Sequence, residues 1–167
     1  MRQLIGALLL ALASACATAP ASGIDEITLE RSTCFGPCPA YSVTITASGA
    51  VTYVGHANTR VLGERHAQAD HRALTALHQH ILDADFFSLR DEYRMTVSDL
   101  AEYVVTVRRG NITKRVLDYG GVAAGMPPVL RTIEDEIDRV AATQDWVGTP
   151  DERGPQAPIQ HPIRRNN

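Results

Sequence analysis

The pattern that most limits how this chain can fold is the alternation of apolar and polar residues from Tyr41 to Thr46, taken up again from Ala50 to His56 after Ala47-Ser48-Gly49. A period of two sends successive side chains to opposite faces of a strand. A three-residue connection with glycine at its left-handed position closes two such strands into a hairpin. Ile45 then faces Val51 and Val43 faces Tyr53 on one side, with Thr44, Thr46 and Thr52 on the other. A slip of one residue would turn the whole apolar set towards water, so this register is strongly specified. Tyr103-Val104-Val105-Thr106-Val107 and Ile112 to Tyr119 read as a second hairpin around Gly110-Asn111. Ile27 to Arg31 reads as a strand ahead of the first hairpin, and Val61 to Ala67 as a third member of its meander.

Between the hairpins the period changes. Leu74, Leu77, Ile81 and Ala84 recur at helical spacing behind Asp70, a residue suited to cap a helix start. Phe86-Phe87-Ser88-Leu89 at the helix exit reads as an apolar plug that closes the core. After the second hairpin, Pro127-Pro128 open a helix whose buried stripe is Leu130, Ile133, Ile137 and Val140. Strands in hairpins interrupted by helices predict an α+β domain, an antiparallel sheet built from hairpins with two helices packed on one face. The organisation expected is a signal peptide over 1–15, a lipidated cysteine and tether over 16–25, one domain over 26–147 and a disordered tail over 148–167. That last segment carries four of the nine prolines and almost no apolar residues.

The N-terminus places Arg2 before a short apolar run, Leu4 to Leu12, and then Ala13-Ser14-Ala15 before Cys16. The run is far short of the roughly 20 apolar residues that span a bilayer, so it reads as a signal that is removed. Small residues followed by cysteine are the mark of a lipobox, and lipidation of Cys16 would hold the domain on a membrane. Ala17, where an inner-membrane retention signal would place Asp, favours the outer membrane facing the periplasm. A net charge of -3 gives no electrostatic case for nucleic acid. The partners expected are the membrane, through Cys16, and an envelope protein.

An exported chain meets an oxidising compartment, and with Cys16 lipidated the remaining pair is Cys34 and Cys38, in Cys34-Phe35-Gly36-Pro37-Cys38-Pro39. One reading is a disulfide that staples the connection between the first two strands. The other is thiol-redox or copper chemistry, since C-x3-C followed by Pro is similar to the motif of the Sco copper-delivery family and soft thiolates select Cu(I). In that family the cysteines precede a helix that lowers their pKa, whereas here Tyr41 to Thr46 alternates as a strand. The six histidines, His56, His66, His71, His78, His80 and His161, are scattered and suggest no metal site. His78, beside Leu74 and Leu77, reads as a partly buried helix residue. No cofactor motif, P-loop or catalytic constellation is evident.

Asp118-Tyr119-Gly120-Gly121 reads as a turn in which Asp118 bonds nearby backbone and the glycines supply positive φ. Tyr41, Asp118 and Tyr119 are the residues to consider for a binding surface. On Cys34-Phe35-Gly36-Pro37-Cys38-Pro39-Ala40-Tyr41 with the Gly49 hairpin, Asp85-Phe86-Phe87-Ser88-Leu89, and Asp118-Tyr119-Gly120-Gly121 before a helix ending near Trp146, the chain resembles a bacterial family catalogued as a domain of unknown function, number 6438. The resemblance covers most of Ile27 to Trp146. It implies a secreted or lipid-anchored domain and assigns no activity. The sequence as a whole points to a lipid-anchored periplasmic binding or interaction module, the alternative being a thiol-redox or copper-binding protein that uses Cys34 and Cys38.

Overall fold

A computed structural model describes residues 23–153. The signal segment, Cys16, most of the tether and the tail beyond Arg153 lie outside the described residues. The fold is mixed α and β, and its sheet is larger than two hairpins: seven strands in the order β4-β3-β2-β1-β6-β7-β5. These are β1 (Glu26–Arg31), β2 (Ala40–Thr46), β3 (Ala50–Ala57), β4 (Gly63–Gln68), β5 (Glu92–Arg94), β6 (Tyr103–Arg109) and β7 (Ile112–Tyr119). The helices are α1 (His71–Asp83), α2 (Pro128–Ala141) and the one-turn α3 (Gln144–Val147).

The first hairpin takes the register its alternation demands, with Ile45 opposite Val51 and Val43 opposite Tyr53. Gly49 sits at φ +84°, the left-handed position of the turn. β1 joins the two hairpins, pairing antiparallel with β2 on one side and with β6 on the other. One expectation needs correction. The sheet is not wholly antiparallel, because the short β5 runs parallel to β7. Ile24 is buried in the core and the Asp25 amide bonds Arg108. Pro150–Glu152 forms a 3-10 turn capped by Thr149.

The Asp70 carboxylate accepts from the Ala73 amide and so caps α1, while Pro128 stands at the start of α2, where a missing N–H costs nothing. Leu74, Leu77 and Ile81 of α1 and Leu130, Ile133 and Ile137 of α2 join one hydrophobic cluster with Ile27, Leu29, Val43, Ile45, Val105, Val107 and Val116 from the strands. Phe86 closes that cluster, fully buried and edge-on to Phe87. On the other side of the sheet Val104, Leu117 and Tyr119 form a small second cluster.

Candidate functional site

Register carries polar residues onto the end of the core-facing side of the sheet. Tyr41 lies opposite Arg31, Arg31 opposite Tyr103, and Tyr103 opposite Asp118. Each stands two positions from a core residue of its own strand, Val43, Leu29, Val105 and Val116, so a period of two forces all four onto the same side as the core. α2 covers this row with Arg131, Glu134 and Asp138, whose spacing of three and four residues aligns them along one helix face.

The row and the helix form a continuous polar network. The Arg31 guanidinium donates to Asp138 at 2.5 Å, and the Tyr41 hydroxyl donates to the same carboxylate at 2.7 Å. The Thr143 hydroxyl adds a third bond to Asp138 at 2.8 Å. Arg131 pairs with Asp118 through one nitrogen and approaches Glu134 through another at 2.6 Å. The Asp118 carboxylate also accepts from the Gly121 amide at 2.6 Å, the turn bond its sequence context suggests. Arg31 and Arg131 both lie over the Tyr103 ring, 4.4 and 4.5 Å from its centroid.

Charge in this network does not balance. Two guanidinium groups face three enclosed carboxylates, those of Asp118, Glu134 and Asp138, with Asp135 at the exposed margin. Glu134 carries the imbalance: it is fully buried, and neither carboxylate oxygen receives an aligned hydrogen bond among the described residues. Its contact with Arg131 is close but poorly directed. Burial, opposed by Arg131 and reinforced by Asp118, raises its pKa from 4.5 to about 7. Burial and then the Asp138 charge push the Tyr41 phenol far above its ordinary range. For Arg31, burial is the largest single effect and lowers the pKa, but Asp138, Tyr41 and Tyr103 together outweigh it and the group stays firmly charged.

Above the Asp118 end of the row opens a shallow cleft of about 530 Å³. Its walls are the Cys34–Cys38 loop, the Asp99-Leu100-Ala101 segment and the Gly120-Gly121 turn, and Tyr103 and Arg131 also line it. Two stretches far apart in sequence, the cysteine motif and the Asp118 turn, thus meet at one site. Cys34 and Cys38 form a disulfide, half-buried, with Cα atoms 5.6 Å apart. A hydrogen bond from the Phe35 amide to the Asp99 carbonyl ties the loop to the Asp99-Leu100-Ala101 segment. Phe35 is 72 % exposed and Leu100 43 %, so the lining offers apolar surface to solvent beside a guanidinium.

The three residues considered for a binding surface are themselves enclosed. Tyr41, Asp118 and Tyr119 are all buried, and none forms part of the cleft lining. Tyr41 and Asp118 belong to the row beneath it. Tyr119 projects to the opposite side, where its hydroxyl donates to Val97 at 3.0 Å and accepts from the Leu100 amide, holding the wall segment from below. The surface residues that sequence reasoning passed over are Phe35, Leu100 and Arg131. It also passed over Glu134, although the spacing Leu130, Glu134, Ile137, Ala141 places a carboxylate on the buried stripe of α2. His78 is buried and His80 pairs with Glu136 at 2.7 Å. Among the described residues no three His, Cys, Asp or Glu side chains are grouped so as to hold a metal ion, and no helix is long and apolar enough to cross a membrane. Glu134, whose pKa is raised to about 7, is buried behind Arg131, which lines the cleft.

A family model described as a domain of unknown function (DUF6438) matches residues 25–141. No curated protein matches the chain.

Proposed function

Since the chain belongs to the DUF6438 family, with the match spanning most of the domain, we propose that it is a lipid-anchored binding module of the bacterial envelope, its ligand seated in the cleft beside Cys34–Cys38. The observation that carries this reading is the convergence of the cysteine loop and the Gly120-Gly121 turn on one opening lined by exposed Phe35 and Leu100. Solvent-exposed aromatic and aliphatic side chains around a concave opening, with a few polar groups to fix orientation, are the usual make-up of a binding site. In this reading α1 and α2 form a layer on one side of the sheet and the cleft opens at the sheet's end. Anchoring through Cys16 and an outer-membrane location rest on Ala13-Ser14-Ala15-Cys16-Ala17, and the partner is an envelope protein or a smaller envelope component.

The experiment is photo-cross-linking in intact cells, with the reactive residue placed at Phe35 or Leu100 and, as controls, at the equally exposed Leu62 or Ile112. A discrete adduct from the two cleft positions and none from the controls is expected. Adducts from Leu62 and Ile112 alone would move the binding site off the cleft.

The second reading, thiol-redox or copper chemistry at Cys34 and Cys38, draws on one observation: the disulfide lines an open cleft and is not sealed in the core. Against it, the chain runs from Cys38 into β2, so no helix start stands behind the sulfurs to stabilise a thiolate. Thiol trapping of freshly isolated protein separates the two, because a structural staple yields no free thiols.

A further inference from the structure

Granting the cleft as the ligand seat, its chemistry narrows what it accepts. Arg131 lines the opening with its side chain 35 % exposed, yet both of its contacting nitrogens are turned inward, one to Asp118 and one to Glu134. The Asp118 contact is fixed from two sides, because the same carboxylate holds the Gly121 amide. The Glu134 contact is the exchangeable one: it is unaligned, and the carboxylate behind it has no other donor among the described residues. An anion arriving from the cleft side would meet a guanidinium edge already held in place, with Phe35 and Leu100 beside it for an apolar body. Asp99, also on the lining, disfavours a second negative charge near that wall.

We propose that the cleft binds a single carboxylate carried on an apolar body, and that Arg131 receives it in exchange for Glu134, which takes up one proton from solvent as the ligand binds. The balance is one ligand carboxylate and one proton in, with the Arg131 charge passing from the Glu134 carboxylate to the ligand and Glu134 left as a neutral acid. The groups that face Glu134 permit this exchange. Arg131 and Asp135 lie on its own helix, Asp118 comes from β7, Arg31 from β1 with Tyr41 of β2 beyond it, and Tyr103 of β6 stands against both arginines. From α1, His80 is engaged with Glu136 instead. With Glu134 neutral, the ligand carboxylate takes its place in the count, so the network of two guanidiniums with Asp118 and Asp138 gains no further negative charge on binding. Its raised pKa of about 7 puts that change within reach of ordinary conditions.

The test titrates the full chain in detergent with N-acetyl-Leu-Phe bearing a free C-terminal carboxylate, and with the same dipeptide as its C-terminal amide. Amide shifts of Gly120 and Gly121 report the cleft, and calorimetry in two buffers of different ionisation enthalpy reports protons. The acid should bind about tenfold or more tighter than the amide. Its affinity should fall by about tenfold between pH 6 and pH 8, with close to one proton taken up at the higher pH. Glu134→Gln should hold the tight affinity at both pH values. Equal binding of the two probes at Gly120 and Gly121 would overturn the anion and leave the cleft as the seat. A pH dependence unchanged in Glu134→Gln would overturn the exchange, and if that variant fails to fold, the absence of proton uptake in the native chain does the same. Failure of both probes to shift the cleft amides, with cross-links still formed from Phe35, would also overturn the ligand class while sparing the seat.

Discussion

Glu134 occupies a position that helical spacing assigns to an apolar residue, and the protein bears the cost of burying a carboxylate there without an aligned donor. Between pH 4.5 and about 7 the folded chain holds a proton at this site that the unfolded chain releases. Stability therefore falls as pH rises through that window. Glu134→Gln keeps the shape and never ionises, so its advantage over the native chain should grow from pH 4 to pH 8 by about 2 to 3 kcal/mol. Urea unfolding of both proteins at the two pH values measures this directly; a constant difference would mean that Glu134 takes up and releases its proton in the folded chain as it does in the unfolded one. Tyr41 makes a complementary case. Its hydroxyl is one of three donors to Asp138, so Tyr41→Phe should cost about 1 to 2 kcal/mol in the same assay. Arg31 and Thr143 remain to keep the carboxylate satisfied.

Among the elements, the Cys34–Cys38 loop and the Gly120 turn both line the cleft. A disulfide closing a loop of five residues restricts the unfolded chain by about 2 kcal/mol. Replacing both cysteines with Ser should lower stability by that amount and leave the far-ultraviolet circular dichroism unchanged, since the sheet does not depend on the loop for its pairing. Gly120 has φ +118°, and an added Cβ would stand 2.6 Å from Met95 Cγ. Gly120→Ala should therefore cost about 2 kcal/mol and loosen the turn, with a loss of melting temperature as the readout. Both hairpins, the Asp70 cap and the stripe of α2 are legible in the sequence because each depends on contacts within a few residues. β5 is not legible: three residues carry no usable period, and Glu92 to Arg94 become a strand only because β7 presents a free edge beside them. The same limit applies to the site. Cys34 and Asp118 each stand out in the sequence, but their meeting depends on β1 lying between β2 and β6. Arg31, Tyr103 and Arg131 show no mark of partnership until that strand order is known.

For the molecule as a whole, the two ends of β1 have different neighbourhoods. At its start Asp25 is bound to Arg108 and Gly110, and Gly23 approaches Arg109. At its far end lie Arg31, the disulfide loop and the cleft. The proposed anchor makes a prediction at this scale: Cys16→Ser should abolish lipid labelling and move the protein from the membrane pellet to the soluble periplasmic fraction. Retention after a carbonate wash would place the attachment elsewhere. With the lipid on Cys16, the described domain is held by its Gly23 end, and the seven residues from Cys16 to Gly23 allow a leash of at most about 25 Å. β1 itself adds roughly 20 Å between the leash and the cleft. On that proposal the opening lies within about 45 Å of the bilayer surface. If the cleft does capture a ligand, that ligand would lie within that height, and changing the leash length would tune encounter frequency without altering one contact at the site.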